Sequence, residues 1–193
     1  ATFGTVNPVP TLAADEKGFS PTGNYWCGSV WAPTNTMVIR GLENYGYYEQ
    51  AYQIAMKHLH LVAGVYKKTG TIWENYSPES ATYGLHADGS AVEKDFVGWS
   101  GIGPIMYFIE YAIGLKANAP KNEIVWTIRS TRPSGCRNFR FNNRVASLLA
   151  IPDSSRQSLK IQVEASAPFT LKIQWNGHAR TLAIPKGSNT FAW

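Results

Sequence analysis

The spacing of apolar residues along the chain changes near Lys116. Before it, apolar residues recur three or four positions apart in three segments, which is the spacing of one helix face. Pro33 and Pro104 fall where a first helical turn tolerates proline, and Gly46 and Gly70 are typical helix stops. The pattern therefore predicts helices at 34–45, 48–67 and 101–113, each with a broad apolar face.

After Lys116 the apolar residues alternate with polar ones, as in half-buried strands. Asn176-Gly177 is a strong signal for a tight hairpin turn. The predicted strands are 123–129, 158–164, 170–175 and 180–184, which suggests a small antiparallel sheet or sandwich. The fold class predicted from these patterns is α+β and multidomain, with domains at 1–115 and 116–193.

Residues 1–24 are rich in Pro, Gly, Thr and Asn and show no sustained period. Such composition is typical of loops. We expect either a long ordered loop or an extended lead-in before the first helix.

Three short segments concentrate aromatic residues: Tyr-Trp-Cys-Gly-Ser-Val-Trp-Ala-Pro at 25–33, Trp-Glu-Asn-Tyr at 73–76 and Phe-Val-Gly-Trp-Ser at 96–100. A sugar ring has flat apolar faces edged by hydroxyls, so a sugar pocket needs aromatic plates and a few fixed polar groups. The clusters therefore favour carbohydrate binding over an ordinary aromatic core. A carboxylate among such plates is a candidate for acid or base chemistry.

Glu74 is that carboxylate, in a loop that follows the second predicted helix. Loops at helix ends often present functional side chains. By residue type alone a solvated role is the more common one, because Glu is mostly exposed. Asp95 is the second choice, whereas Glu79, Asp88 and Glu93 lie in a polar, glycine-rich loop and are expected to be solvated or bonded to backbone.

The order of these motifs resembles the C-terminal part of the catalytic (α/α)6 barrel of processing α-glucosidase I, trehalase and mannosylglycerate hydrolase-like bacterial enzymes. In those relatives a Tyr-Trp-Arg-Gly-Pro-x-Trp-x-Pro-Thr-Asn segment opens a barrel helix, a Glu-x-Tyr follows a turn, and a Trp-Ser begins a later helix. The counterparts here are 25–35, 74–76 and 99–100. Cys27 stands where the relatives have Arg and Ser29 where they have Pro, so polar contacts to substrate at that corner differ.

The resemblance implies an inverting glycoside hydrolase of α-linked glucosides or mannosides with Glu74 as the general base. It also implies that a set of neighbouring side chains binds the sugar: Tyr25, Trp26, Trp31, Asn35, Tyr76 and Trp99. Helix capping is an equally good role for Asn35.

An inverting glycosidase needs a second carboxyl group that donates a proton to the leaving oxygen. In the resembling enzymes this acid is an aspartate from the earlier half of the barrel, and no residue here matches that motif. We therefore expect the C-terminal piece of a longer enzyme, inactive alone, whose partner is the missing N-terminal part of the same barrel. The broad apolar helix faces also predict self-association of two copies.

The alternative is a non-catalytic carbohydrate-binding or structural piece. In the second domain Trp126 and Trp175 are candidates for sugar stacking. Alternation instead places both on apolar strand faces, which favours the core and a structural role for this domain.

The charge and the distribution of apolar residues bear on which partners the protein binds. The net charge is +5, but Lys and Arg are scattered, and the densest stretch, 129–144, is strand-like and interrupted by Pro133 and Gly135. A nucleic-acid footprint usually clusters on one face, so none is expected. No apolar run approaches the length of a membrane span, and no membrane partner is expected.

The cysteine and histidine spacing indicates no metal site, and no cofactor is expected. Cys27 and Cys136 are either a disulfide or free thiols, and His58 and His60 are expected to be ordinary helix residues. The sequence does not determine the cellular compartment, and a periplasmic or secreted bacterial location is favoured.

Overall fold

The computed structural model describes residues 2–155 and 157–193. The chain divides into two compact units, one that ends at Phe108 and one that spans Ile109–Trp193.

Helices α1, Ala32–Asn44, and α2, Tyr48–Thr69, pack together in the first unit. Pro33 lies in the first turn of α1, and Gly70 ends α2 with a φ of 74°, which a glycine adopts without strain. The predicted helices at 34–45 and 48–67 are confirmed, with ends that differ by one or two residues.

The predicted helix at 101–113 is confirmed, but its geometry is not that of an α-helix. A 3₁₀ turn at Trp99–Gly101 is followed by a π-helix at Gly103–Ile113. The amide of Gly114 donates to the carbonyl of Ile109, five residues back, at 3.0 Å. Apolar spacing shows which positions are apolar but not which carbonyl accepts each amide, so it does not separate α from π geometry.

Loops carry the rest of the first unit, and backbone bridges tie them together. Val30 pairs with both Pro10 and Tyr76, and Leu85 pairs with Gly23 and Ala91. The described residues of the 1–24 segment form no helix or extended strand, as predicted. A small core lies beneath these loops and consists of Val30, Leu61, Val62, Val65, Trp73, Tyr76 and Val92. The loops around Glu74 are therefore held by hydrogen bonds and a packed base.

The second unit contains two four-stranded sheets. The first has the order β1-β2-β6-β7 and the second β3-β4-β5-β8. The strands are β1 Leu115–Asn118, β2 Glu123–Thr127, β3 Ser134–Phe141, β4 Arg144–Pro152, β5 Leu159–Ala165, β6 Phe169–Trp175, β7 His178–Ile184 and β8 Gly187–Ala192. One hydrophobic core draws residues from both sheets, so the unit is a β-sandwich.

The alternating segments predicted as strands are strands, and Asn176 and Gly177 form the β6–β7 turn with φ values of 49° and 77°. Both values suit the type of turn predicted there. Trp126 and Trp175 are buried, as alternation predicted, so neither is a surface stacking platform. The predicted antiparallel pairing holds for all of the strand pairs except β2 and β6, which pair in parallel.

Among the described residues, no helix combines the length and apolar character that a membrane crossing requires. Placement of α1 and α2 in an (α/α)6 barrel stays a prediction.

Candidate active site

Glu74 lies in the loop after α2, and its backbone is held at both ends. Its amide donates to the carbonyl of Glu93 at 2.9 Å, and its carbonyl accepts from the Ser100 hydroxyl at 2.6 Å. The residue is only 6% exposed. Its position is therefore set by two other segments of the same unit.

One oxygen of the Glu74 carboxylate, Oε1, accepts a hydrogen bond from the Tyr25 hydroxyl at 3.3 Å. The other oxygen has no hydrogen-bond or ion-pair partner among the described residues, and it is not sealed from solvent. Glu74 lines an open pocket of about 620 Å³. A mostly buried carboxylate thus keeps one oxygen available at the pocket wall.

Tyr25 adopts a φ of 55°, a conformation that non-glycine residues rarely adopt and that is enriched at functional sites. Its hydroxyl points at Glu74, and its ring meets Trp31 edge-on at 4.8 Å and stacks on His86 at 5.8 Å. Desolvation and the Glu74 carboxylate raise the pKa of Tyr25 above 10.0. The hydroxyl therefore stays protonated and serves as a donor.

Trp31 is the centre of an aromatic cluster. It is fully buried, and Trp26 stacks on it with ring centroids 4.3 Å apart. Trp99 meets Trp31 edge-on at 6.1 Å. Trp26 and Trp99 are 53% and 45% exposed, so each keeps a ring surface open to solvent. Tyr25 joins this cluster to Glu74.

Asn35 is buried in α1 away from the pocket lining. Its Oδ1 accepts from the Val9 amide at 2.8 Å, and its Nδ2 donates to the carbonyls of Val9 and Trp31 at 3.0 Å each. These bonds tie the N-terminal segment to α1. They would have to break before the amide could bind a sugar hydroxyl, which favours a structural role for Asn35, and the sugar contact stays a prediction.

Tyr76 is also a core residue. It is 1% exposed, and its hydroxyl accepts a hydrogen bond from the Trp73 amide at 3.2 Å. Burial raises the pKa of Tyr76 to about 12. Tyr76 belongs to the small core under the loops, and its place in the sugar subsite stays a prediction.

The second-choice carboxylate, Asp95, is exposed and does not line the pocket. Its Oδ1 accepts a hydrogen bond from the Thr71 hydroxyl at 2.6 Å, and the Asp95 amide donates to the Thr71 hydroxyl oxygen at 3.0 Å. This pairing closes the loop and explains the residue without a catalytic role.

The pocket lining includes residues that sequence reasoning did not assign to a site. It consists of Asn24, Tyr25, Glu74, His86, Ala87, Asp88 and Glu93. Asp88 and Glu93 are exposed, as expected, yet they lie at the same pocket as Glu74. The sequence feature that could have indicated this placement is the Asp88-Gly89 turn, which reverses the chain and returns Ala91 beside Leu85.

Among the described residues, no group of three or more His, Cys, Asp or Glu side chains could hold a metal ion. Cys27 and Cys136 are free thiols.

Comparison with known proteins identifies the protein family of the chain. Residues 1–99, just over half of the chain, match the family model described as the mannosylglycerate hydrolase MGH1-like glycoside hydrolase domain. The chain belongs to this family, and the predicted resemblance to mannosylglycerate hydrolase-like enzymes is confirmed at that level. The finer resemblance to processing α-glucosidase I and trehalase stays a prediction.

A curated relative is an uncharacterized protein of Borreliella burgdorferi. It is 31% identical over an alignment of 191 positions that covers 96% of this chain and 40% of the relative. The chain therefore spans less than half of the length of this relative.

Two solved structures from Thermus thermophilus are also similar. An uncharacterized conserved protein is 26% identical, with 56% of this chain and 23% of that chain covered and a TM-score of 0.42. A GH63 mannosylglycerate hydrolase in complex with glucose is 25% identical, with 56% and 22% covered and a TM-score of 0.41.

Proposed function

We propose that these residues form the C-terminal part of a glycoside hydrolase that cleaves α-linked glucosides or mannosides with inversion, with Glu74 as the general base. The observation that carries the proposal is the Glu74 carboxylate, 6% exposed, with one oxygen held by Tyr25 and the other available at the pocket. Membership of a glycoside hydrolase family supports it.

In this mechanism a water molecule in the pocket lies between the free oxygen of Glu74 and the anomeric carbon. Glu74 accepts a proton from the water while the oxygen of the water attacks the anomeric carbon. The glycosidic bond breaks on the opposite face of the sugar. Tyr25 donates to Oε1 and keeps the carboxylate in one orientation. Trp26 and Trp99 supply the exposed ring surfaces for stacking against the sugar.

The general acid of the proposal lies outside these 193 residues. The chain covers 40% of the length of its curated relative, which leaves room for the earlier half of a barrel. Exposed apolar side chains on α1 and in the π-helix, such as Met37 and Ile105, suit helices that pack on them in an (α/α)6 toroid. An apolar cavity of about 920 Å³ between the N-terminal segment and α1 and α2 suits the same partner.

The test is hydrolysis of a panel of α-glucosides and α-mannosides, glycerate-linked mannose among them, by the product of the natural gene. Glu74→Gln should lower kcat by about 10²–10⁴-fold, the usual contribution of a general base, with substrate affinity largely kept. Glu79→Gln is the matched control, since Glu79 is exposed, close in sequence and outside the pocket lining. Equal loss in both variants, or in neither, contradicts the proposal.

A second candidate is a carbohydrate-binding piece without hydrolysis, which the exposed rings of Trp26 and Trp99 favour. In that case sugars bind, no substrate of the panel is cleaved, and Glu74→Gln changes nothing but affinity. Trp26→Ala should weaken binding under both candidates, so turnover is the measurement that separates them.

A further inference from the structure

The ring of Trp31 is enclosed by other aromatic side chains. Trp31 is fully buried, and the ring of Trp26 stacks flat on it, with centroids 4.3 Å apart and an interplanar angle of 5°. Tyr25 and Trp99 meet it edge-on at 4.8 Å and 6.1 Å. Stacking on a sugar needs an exposed ring face, which Trp26 and Trp99 offer and Trp31 does not. The buried ring therefore favours a different role for Trp31.

The indole nitrogen of Trp31 holds the backbone of Tyr25. Its Nε1 donates a hydrogen bond to the Tyr25 carbonyl at 3.3 Å, and the Ser29 amide donates to the same carbonyl at 3.2 Å. Asn24 and Tyr25 have φ values of 37° and 55°, so two successive non-glycine residues are left-handed. Such residues persist only where the surrounding structure holds them. The two donors therefore fix the backbone from which the Tyr25 ring projects.

Trp31 is itself anchored between α1 and the segment that carries Glu74. Its carbonyl accepts hydrogen bonds from the Asn35 amide at 3.1 Å and from Nδ2 of Asn35 at 3.0 Å, in the first turn of α1. The residue before it, Val30, exchanges two backbone hydrogen bonds with Tyr76, at 2.8 Å and 3.0 Å. Tyr76 follows Glu74 by two positions. The indole thus projects from a support that is shared with the Glu74 loop.

We infer that Trp31 is a positioning residue that acts on Glu74 through Tyr25. The indole N–H holds the left-handed backbone of Tyr25, and the Tyr25 hydroxyl donates to Oε1 of Glu74 at 3.3 Å. A general base acts in a narrow range of orientations, so loss of the indole donor should slow catalysis more than it weakens sugar binding. The effect on catalysis rests on the proposed function; the effect on the contact between Tyr25 and Glu74 does not.

The contact is tested without substrate, by fluorine NMR of the product of the natural gene labelled with 3-fluorotyrosine. Tyr25→Phe assigns the resonance of Tyr25. Glu74→Gln should shift this resonance, because the hydroxyl loses a charged acceptor. In the Trp31→Phe background, Glu74→Gln should shift it less than about half as far, because the hydroxyl is no longer held at Glu74.

Trp126→Phe is the matched control. Trp126 is also fully buried, and its Nε1 donates to the carbonyl of Ile113 at 3.0 Å, so the substitution removes the same type of bond in the core of the second unit. It should leave the Glu74→Gln shift at its native size. If Trp31→Phe does not fold, benzothienylalanine in place of Trp31 keeps both fused rings and replaces only the N–H by sulfur. The same reduced shift is expected there.

The catalytic effect is measured on the substrate panel. Trp31→Phe should lower kcat on the order of tenfold and change KM by less than about twofold. Tyr25→Phe should lower kcat by a similar factor. The double variant should be as slow as Tyr25→Phe alone, within about twofold, because both changes break the same chain of contacts.

Two NMR results would overturn the inference: a Glu74→Gln shift that keeps its native size in Trp31→Phe, or one that Trp126→Phe reduces equally. A raised KM with unchanged kcat in Trp31→Phe would also overturn it and would make Trp31 a sugar contact. Failure of the proposed function is a different result. If no substrate of the panel is cleaved, the hydrolase assignment falls, and the NMR comparison still decides whether Trp31 positions Tyr25 at Glu74.

Discussion

His58 in α2 is fully buried, and neither ring nitrogen has a hydrogen-bond partner among the described residues. Its ring lies edge-on to Tyr76 at 6.2 Å and Tyr107 at 5.4 Å, and its Nε2 faces Gly103 so closely that a Cβ there would be 2.7 Å away. Desolvation lowers the pKa of His58 to about 4. This group should therefore link stability to pH.

The direction in which stability changes with pH depends on whether the folded or the unfolded chain binds the proton first as the pH falls. Because the folded-state pKa lies below the ordinary 6.5, the unfolded chain is protonated first as the pH falls. The free energy of unfolding should be unaffected by His58 above pH 6.5 and should fall between pH 6.5 and 4, by about 3 kcal/mol in all. Denaturant unfolding at several pH values measures this.

His58→Phe keeps an aromatic ring in the same space and should flatten that part of the pH profile. His60→Phe is the control, because His60 is exposed on the same helix and should leave the profile as it is. A slope that persists in His58→Phe assigns the pH dependence to another group.

Sequence reasoning at the residue scale found Glu74 and the rings around it, because a carboxylate among tryptophans is a distinctive pattern. It assigned Asn35 and Tyr76 to the sugar subsite, but their side-chain polar atoms already form hydrogen bonds with the backbone of Val9, Trp31 and Trp73. Spacing along the chain does not show which polar atoms are already bonded. It missed His86 because stacking on Tyr25 is a contact between distant segments.

At the scale of elements, Gly114 joins the π-helix to β1. Its φ is 89°, and an added Cβ would overlap the carbonyl of Thr127 in β2, whose amide bonds to the Gly114 carbonyl at 2.9 Å. Gly114→Ala should destabilise the chain by more than the ~1–2 kcal/mol of a left-handed conformation alone, because the backbone must also shift.

Gly177→Ala measures the destabilisation that comes from the left-handed backbone conformation alone. Gly177 has a φ of 77° in the β6–β7 turn, and a Cβ there would meet nothing within 4 Å. Thermal or denaturant unfolding of the two variants compares the penalties. Equal losses of stability would mean that the contact with Thr127 costs nothing.

The strands that sequence reasoning found, such as β5 and β6, have one buried and one exposed face, so the alternation is visible. It missed β1, β3, β4 and β8. In β4, Leu149 is exposed while Leu148 and Ala150 are buried, so apolar residues occupy both faces and hide the period. A register shift between Cys136 and Phe139 interrupts β3. The parallel β2–β6 pairing depends on distant segments, which local periodicity does not report.

At the scale of the whole molecule, large apolar side chains remain exposed in the first unit. They include Met37, Tyr45, Tyr47, Tyr48, Tyr66, Ile105 and Phe108. Such surface favours association. We predict that the 193-residue chain self-associates at micromolar concentration, with a mass above 21.3 kDa in sedimentation equilibrium.

Met37→Glu and Ile105→Glu should lower the association constant, whereas Val6→Glu, at an exposed position outside those helices, should not. A monomer at all concentrations contradicts this prediction and leaves the apolar faces for a different partner.

Family membership was accessible from sequence because three short motifs in a fixed order identify it. The activity of the whole protein was not, because the chain spans only 40% of the length of this curated relative.

The stereochemistry of cleavage tests the central claim most directly. Proton NMR of the product of the natural gene acting on an α-glycoside shows which anomer appears first, before mutarotation mixes the two. Glu74 as a base that activates water predicts the β-anomer. The α-anomer as first product would mean retention and would contradict that role for Glu74.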